Sequence, residues 1–108
     1  MFFTSFFVQE AAGEVKLDFQ AGAQATLMEV SACTAGSKAA RLSLAVNELP
    51  VMNEGTVGKK GAPEVFGRSV FVSREPFHVK KGDIVELVLK GGDEKAPIQD
   101  VTIVLTFA

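Results

Sequence analysis

Apolar and polar residues alternate along most of this chain, which is typical of half-buried β-strands because successive side chains point to opposite faces. In VKLDF, Val15, Leu17 and Phe19 share one face and two charged residues take the other. In ARLSLAVN, every second residue from Ala40 to Val46 is apolar. Both segments are predicted to be antiparallel strands with one solvated face.

The last third of the chain contains three more apolar runs, FHV at 77–79, VELVL at 85–89 and VTIVLTF at 101–107. Turn-forming residues separate them: Lys-Gly-Asp at 81–83, where glycine accepts a positive φ, and Gly-Gly-Asp-Glu-Lys at 91–95. Consecutive strands joined by such short connections predict a β-meander.

Two further segments, ATLMEVSAC at 25–33 and VFGRSVFVS at 65–73, are also predicted to be strands. TAGSKA at 34–39 is small and polar, and is expected to carry the chain around a corner. LPVMNEGTVGKKGAPE at 49–64 has three glycines and two prolines, so a loop without any strand is expected there. With the N-terminal run the count reaches about eight strands, which predicts an all-β fold: a single antiparallel, jelly-roll-like β-sandwich over 1–108.

The first eight residues, MFFTSFFV, include four phenylalanines and no charged side chain. The run is short, polar residues interrupt it and no basic residue precedes it, so a secretory signal is not expected. In an extended chain Phe3 and Phe7 share one face, whereas Phe2 and Phe6 share the other. Residues 1–8 are therefore an interface strand or arm whose second face is covered by the domain's own loops, by a neighbouring subunit or by a capsid surface.

Composition and charge exclude several kinds of partner and site. The chain has 108 residues, a net charge of −2 and a pI near 5.4, so it offers phosphate backbones and anionic lipid no general attraction. Neither a nucleic-acid partner nor a membrane span is expected. The lone Cys33 excludes an internal disulfide and a thiolate zinc site, and is expected to be a small buried strand residue.

The segments that could carry catalytic or binding chemistry lack the residue spacing that each chemistry requires. GTVGKKGAPE lacks the Gly-Lys-Ser/Thr and following helix of a phosphate loop. His78 is predicted to point outward beside Lys80, without an oriented partner. The acidic residues Asp83, Asp93, Glu94 and Asp100 match no calcium-loop spacing, and turn chemistry explains Asp83. We expect no catalytic, cofactor or metal site, and therefore no enzyme.

The C-terminal third, FHVKKGDIVELVLKGGDEKAPIQDVTIVLTF, resembles small β-sandwich proteins of tailed-phage particles. The shared features are a strand, a Lys-Gly-Asp turn, a strand, a polar loop and a long final strand. The same order occurs in complement-head and tumour-necrosis-factor-like jelly rolls, where RLSLAVN would match a middle strand ending in Asn47. The resemblance implies a capsid decoration, or cement, protein that binds the major capsid protein on the head surface, commonly as a trimer.

The contacts expected for such a protein are adhesive. The phenylalanines of the first segment are the predicted docking residues, with the loop 52–62 as a second contact; together the interface set is Phe2, Phe3, Phe6, Phe7, Met52, Lys59 and Lys60. The expected location is the virion, after a soluble stage in the host cytoplasm. The alternative is a jelly-roll module of a tail fibre or receptor-binding protein that recognises a host surface molecule.

Overall fold

In the computed structural model, which describes residues 1–108, the chain folds into two β-sheets that pack face to face. The strands are β1 Phe2–Ala11, β2 Gly13–Gln20, β3 Ala25–Thr34, β4 Arg41–Val46, β5 Leu49–Thr56, β6 Gly58–Lys59, β7 Glu64–Phe66, β8 Phe77–Val79, β9 Ile84–Gly91 and β10 Ile98–Phe107. A 3₁₀ turn at Arg68–Val70 is the only helical element. The expected all-β sandwich is confirmed.

The sheets differ in how their edges are built. Sheet A has the order β1-β10-β3, and the short strands β6, β7 and β8 all pair with the far side of β3. Sheet B has the order β2-β9-β4-β5. All pairings are antiparallel except the two-residue contact between β3 and β6. The chain's first and last strands are therefore neighbours, with Phe2 opposite Phe107.

The core lies between the two inner faces and follows the alternation of the sequence. From sheet B, Leu42, Leu87 and Leu89 are fully buried, and from sheet A, Ile103 and Leu105 meet them. These residues occupy every second position of their strands, so each strand of the pleated sheet turns one apolar row inward. The side chains between them point away from the core and form the outer faces of sheet A and sheet B.

The prediction of a strandless loop at 49–64 is wrong, because β5 covers the first half of that segment. Asn47 and Glu48, with φ of 48° and 69°, form the two-residue turn that joins β4 to β5. Pro50 is compatible with a strand here because β5 is an edge of sheet B. Val51 and Met52 are buried and anchor the strand to the core.

The predicted β-meander is also wrong, because the last three strands alternate between the sheets. β8 and β10 belong to sheet A, whereas β9 between them belongs to sheet B. The turn at 80–83 forms as expected, with Gly82 at φ 93°, but it carries the chain across the sandwich. Alternation shows which face of a strand is buried and says nothing of which sheet the strand joins.

The segment 65–73 is not one strand, contrary to expectation, because it crosses between the sheets. Phe66 lies in β7, opposite Val30 of sheet A. The 3₁₀ turn follows, and Phe71 then forms a bridge with Met52 of sheet B. Both phenylalanine rings are buried, so each sheet holds one end of the crossing. The corner expected at 34–39 is confirmed, since it joins β3 of sheet A to β4 of sheet B.

Candidate interaction surface

Strand β1 divides its four phenylalanines between the two faces of sheet A, as the sequence predicted. Phe2 and Phe6 point inward: Phe2 stacks on Phe107 with ring centroids 5.0 Å apart, and Phe6 lies 6.0 Å from Phe19. Phe3 and Phe7 point outward, and 64% and 62% of their surfaces are exposed. Cover by the domain's own loops is therefore wrong for this outer pair.

Residues 1–8 are not a free arm. The register between β1 and β10 runs from Phe2 opposite Phe107 to Ala11 opposite Ile98 without a shift. The segment is thus an integral edge strand of sheet A, and of the two descriptions that the sequence allowed, only that of a strand fits.

The outer face of sheet A continues from β1 across β10 and β3 as three rows of small or apolar side chains. The rows are Phe3–Thr106–Glu29, Ser5–Val104–Ser31–Val65 and Phe7–Thr102–Cys33. Glu29 is the only charged residue in them, and it lies in the row at one end. Val104 occupies the middle strand of the middle row, half-buried by its neighbours.

The outer face of sheet B has the opposite character. Its charged side chains are Glu14, Lys16, Asp18, Arg41, Glu54, Glu86 and Lys90. Arg41 and Glu54 form an ion pair of 3.0 Å, and Lys90 lies 3.7 Å from the same glutamate. A face with this many charged side chains is readily hydrated. The outer face of sheet A, with Glu29 as the only charged residue in its three rows, is therefore much less polar than the outer face of sheet B.

Most of this surface was missed at the level of sequence. Ser31 and Cys33 on β3, and Thr102 and Val104 on β10, join the phenylalanines only through the strand order. A signal was present, since 101–107 has no charged residue on either face, like the first segment. Cys33 lies on a strand as expected, but it is half-buried on the outer face rather than fully buried in the core.

The predicted second contact at 52–62 does not adjoin the phenylalanines. Met52 is 1% exposed and belongs to the core, so its assignment to the interface is wrong. Lys59 and Lys60 are exposed, but Lys59 lies beside Thr34 on the far side of β3. Three strand spacings, about 14 Å, separate that edge from β1.

Two polar contacts on the surface have structural roles. Asp83 accepts hydrogen bonds from the Lys80 backbone N–H and from Asn47 Nδ2, both at 2.9 Å, and these two bonds lower the pKa of its carboxyl. The assignment of Asp83 to a turn is confirmed. His78 points outward as expected, with Nδ1 3.0 Å from Thr26 Oγ1.

The largest cavity, of about 320 Å³, opens between the ends of β1 and β2. Phe2, Phe19 and Phe107 form much of its wall, and none of its lining residues is ionisable. It therefore has no acid or base for catalysis. No group of three or more His, Cys, Asp or Glu side chains is placed to hold a metal ion. No helix is long and apolar enough to cross a bilayer.

No protein-family model and no curated protein matches the chain. Among solved structures, the chain is similar to the C-terminal domain of EclA, a sugar-binding protein: 12% identity, TM-score 0.47, over 100% of this chain and 78% of that one. It is also similar to an exo-β-1,3-galactanase from Phanerochaete chrysosporium solved with galactose, at 13% identity and TM-score 0.40. That match covers 95% of this chain and 26% of the galactanase. Both likenesses concern the fold alone.

Proposed function

We propose that the protein is a non-catalytic assembly protein of the capsid decoration type, which attaches to a phage head through the outer face of sheet A. The supporting observation is the contrast between the two outer faces: one charged residue in three rows of sheet A, against six in the three matching rows of β2, β9 and β4 in sheet B. The resemblance of 77–107 to small virion β-sandwich proteins gives the class of partner, the major capsid protein.

The mechanism is adhesion by a sheet face that holds a single charged residue, Glu29, in the row at one end. Phe3 and Phe7 project from the edge strand and serve as anchors, each contributing roughly 1.5–3 kcal/mol when fully buried. The half-buried residues around Val104 supply a smooth centre, and depletion of charge at the centre is characteristic of protein interfaces. The charged face of sheet B stays toward water and keeps the decorated particle soluble.

Co-sedimentation with shells assembled from the major capsid protein of the same phage tests this proposal. Val104→Lys places a charge at the centre of the proposed docking face and is expected to weaken shell binding at least tenfold. Val88→Lys is the matched control, because Val88 is a half-buried valine on the outer face of a central strand of sheet B. It is expected to bind shells like the unmodified protein.

Equal shell binding by the two lysine variants would contradict the choice of face. Absence of shell binding by the unmodified protein, together with binding on a glycan array, would replace decoration with the tail-fibre alternative. The position of the gene gives a second check, since decoration predicts a neighbour among capsid genes rather than tail genes.

A further inference from the structure

The sandwich has four sheet edges, and three of them are obstructed. The short strands β6, β7 and β8 occupy the far side of β3. Edge strand β5 contains Pro50, and its pairing with β4 has two shifts of register. On its open side, the Val72 N–H donates a hydrogen bond of 2.8 Å to the Val51 carbonyl. Edge strand β2 alternates Glu14, Lys16 and Asp18 along its outer side. Prolines, bulges and charges are the devices that keep edge strands from pairing with other chains.

The first eight residues of the fourth edge strand, β1, have none of these devices. From Phe2 to Gln9 it contains no charge, no proline and no glycine, and its pairing with β10 shows no bulge. Its ten residues give a straight edge of roughly 33 Å. Unpaired backbone groups along such an edge are a template for another strand.

We propose that this edge pairs with the β1 strand of a second copy, antiparallel about a two-fold axis at Ser5. The axis joins two six-stranded sheets into one continuous sheet. In this register Phe3 lies opposite Phe7 of the second copy, and the same pair recurs on the other side of the axis. On the inner face, Phe2 lies opposite Val8 and Thr4 opposite Phe6.

The register follows from the positions of the two exposed rings. In an antiparallel pair about a two-fold axis, residues equally distant from the central residue lie opposite each other on one face. Centring on Thr4 would place Phe3 against Ser5, and centring on Phe6 would place it against Gln9. Centring on Phe3 or on Phe7 would pair only one of the two rings with its copy. Ser5 is the centre that gives both exposed rings an aromatic partner, and cross-strand aromatic pairs stabilise a sheet.

The exposed side chains of β1 set an upper limit on the area that the pairing buries. At roughly 200 Å² for each ring, the exposed fractions of Phe3 and Phe7 in two copies amount to no more than roughly 500 Å², and the second copy covers the flanks of the rings rather than their outer ends. That is about two-fifths of the roughly 1,200 Å² at the lower end of stable interfaces. The paired backbone edges and Phe2, which is 48% exposed, add to it.

The pairing goes beyond the proposed function, because it depends on β1 and not on a capsid. A two-fold axis makes the two outer faces of sheet A coplanar, so one dimer presents twice the docking area. It also closes at two copies, in contrast to the trimer that the resemblance implies.

A charge exchange at the axis tests the proposal without any capsid protein. Light scattering on the unmodified protein is expected to give twice the 11.5 kDa monomer mass. Ser5→Lys and Ser5→Glu each place like charges opposite one another, so each variant alone is expected to weaken dimerisation at least tenfold. Mixed in equal amounts, the two variants are expected to form a heterodimer. Ser43→Lys, on the outer face of sheet B, is the control and leaves the dimer unchanged.

Cysteine cross-linking is a second measurement that does not depend on charge. In a Cys33→Ser background, Ser5→Cys places two sulfurs across the axis, where Cα atoms about 4.5–5.5 Å apart suit a disulfide. It is expected to give a covalent dimer on mild oxidation. Gln9→Cys is the control, because in this register its two copies lie about 27 Å apart.

A monomeric or trimeric unmodified protein would overturn the pairing. So would dimerisation of Ser5→Lys alone at full strength, failure of the mixed variants to associate, or cross-linking at position 9 as efficient as at position 5. Each of these outcomes leaves the shell-binding proposal standing on its own test.

Discussion

Phe2 stacks on Phe107, with ring centroids 5.0 Å apart and ring planes 10° from parallel. Phe19 of sheet B meets the edge of the same Phe107 ring at 6.3 Å and 86°. Three aromatic side chains thus join β1, β10 and β2 at the wall of the largest cavity. Phe107 is the centre of this cluster, since it contacts both of the other rings and is 2% exposed.

Replacing Phe107 with alanine is expected to destabilise the fold far more than replacing Phe2. Phe107→Ala leaves a cavity in the core and should lower the free energy of unfolding by about 3–5 kcal/mol. Phe2→Ala removes a ring that is already half-exposed and should cost about 1 kcal/mol. Urea denaturation followed by circular dichroism measures both values, and equal losses would contradict the central role of Phe107.

Deletion of residues 1–8 is expected to unfold the domain or to lower its Tm by more than 10 °C. The deletion removes the strand that pairs with β10 and uncovers the core beside Phe19 and Phe107. The control is the double variant Phe3→Ser and Phe7→Ser, which changes only the outer rings and should leave Tm within a few degrees. A truncated protein that melts like the full chain would restore the description of this segment as an arm.

The Asp83 turn is expected to make stability depend on pH in the acid range. Hydrogen bonds from the Lys80 N–H and the Asn47 amide lower the folded-state pKa of Asp83 below its ordinary value of 3.8. The resulting stabilisation is present above that ordinary value and is lost as the pH falls through the lower folded-state pKa. Asp83→Asn should lower Tm at pH 7 and lose less Tm than the unmodified protein between pH 5 and pH 2.5.

Thermal melts at several pH values between 7 and 2.5 measure this dependence. Asp18→Asn is the matched control, because it removes a carboxylate from the outer face of sheet B and leaves the turn intact. Parallel curves for the unmodified protein and Asp83→Asn would contradict the assigned role of the carboxylate.

Gly58 is expected to be far less tolerant of alanine than Gly67. A Cβ atom at Gly58 would collide with the backbone of Ala62, Pro63 and Glu64, where the chain folds back on itself. A Cβ atom at Gly67 would meet open space. Gly58→Ala should lower the free energy of unfolding by about 2 kcal/mol, a typical cost of overpacking, and Gly67→Ala by much less. Similar denaturation midpoints for the two variants would contradict the tight packing of this turn.

The spacing of apolar residues predicted which way side chains point, whereas contacts between distant segments decided which sheet each strand joins. The inward rows, such as Val15 with Phe19, follow from a period of two that is a property of one strand alone. Whether a strand joins sheet A or sheet B depends on distant partners, so the meander could not be distinguished from alternating sheets. The Asn47–Glu48 turn was missed because glutamate seldom adopts a positive φ, and with it the strand that buries Met52.

For the interaction surface too, the sequence predicted which face of a strand a side chain takes, but not which strands lie side by side. Phe3 and Phe7 could be assigned to the outer face from the sequence alone, because successive side chains of a strand point to opposite faces. The surface around Val104 required knowing that β10 lies between β1 and β3, since Ser5, Ser31 and Val65 are far apart in sequence but share one row.

The pairing of the first strand with the last has a consequence for synthesis. At about 5–20 residues per second, translation leaves β1 without its partner for roughly 5–20 seconds. β10 lies between β1 and β3 in sheet A. Neither β1 nor the edge of β3 that faces β10 can therefore form its backbone hydrogen bonds until β10 leaves the ribosome. For that interval four phenylalanines of the nascent chain are unshielded. The yield of folded protein should therefore fall at high expression rates and recover when the nascent chain is held by a chaperone that binds exposed apolar segments.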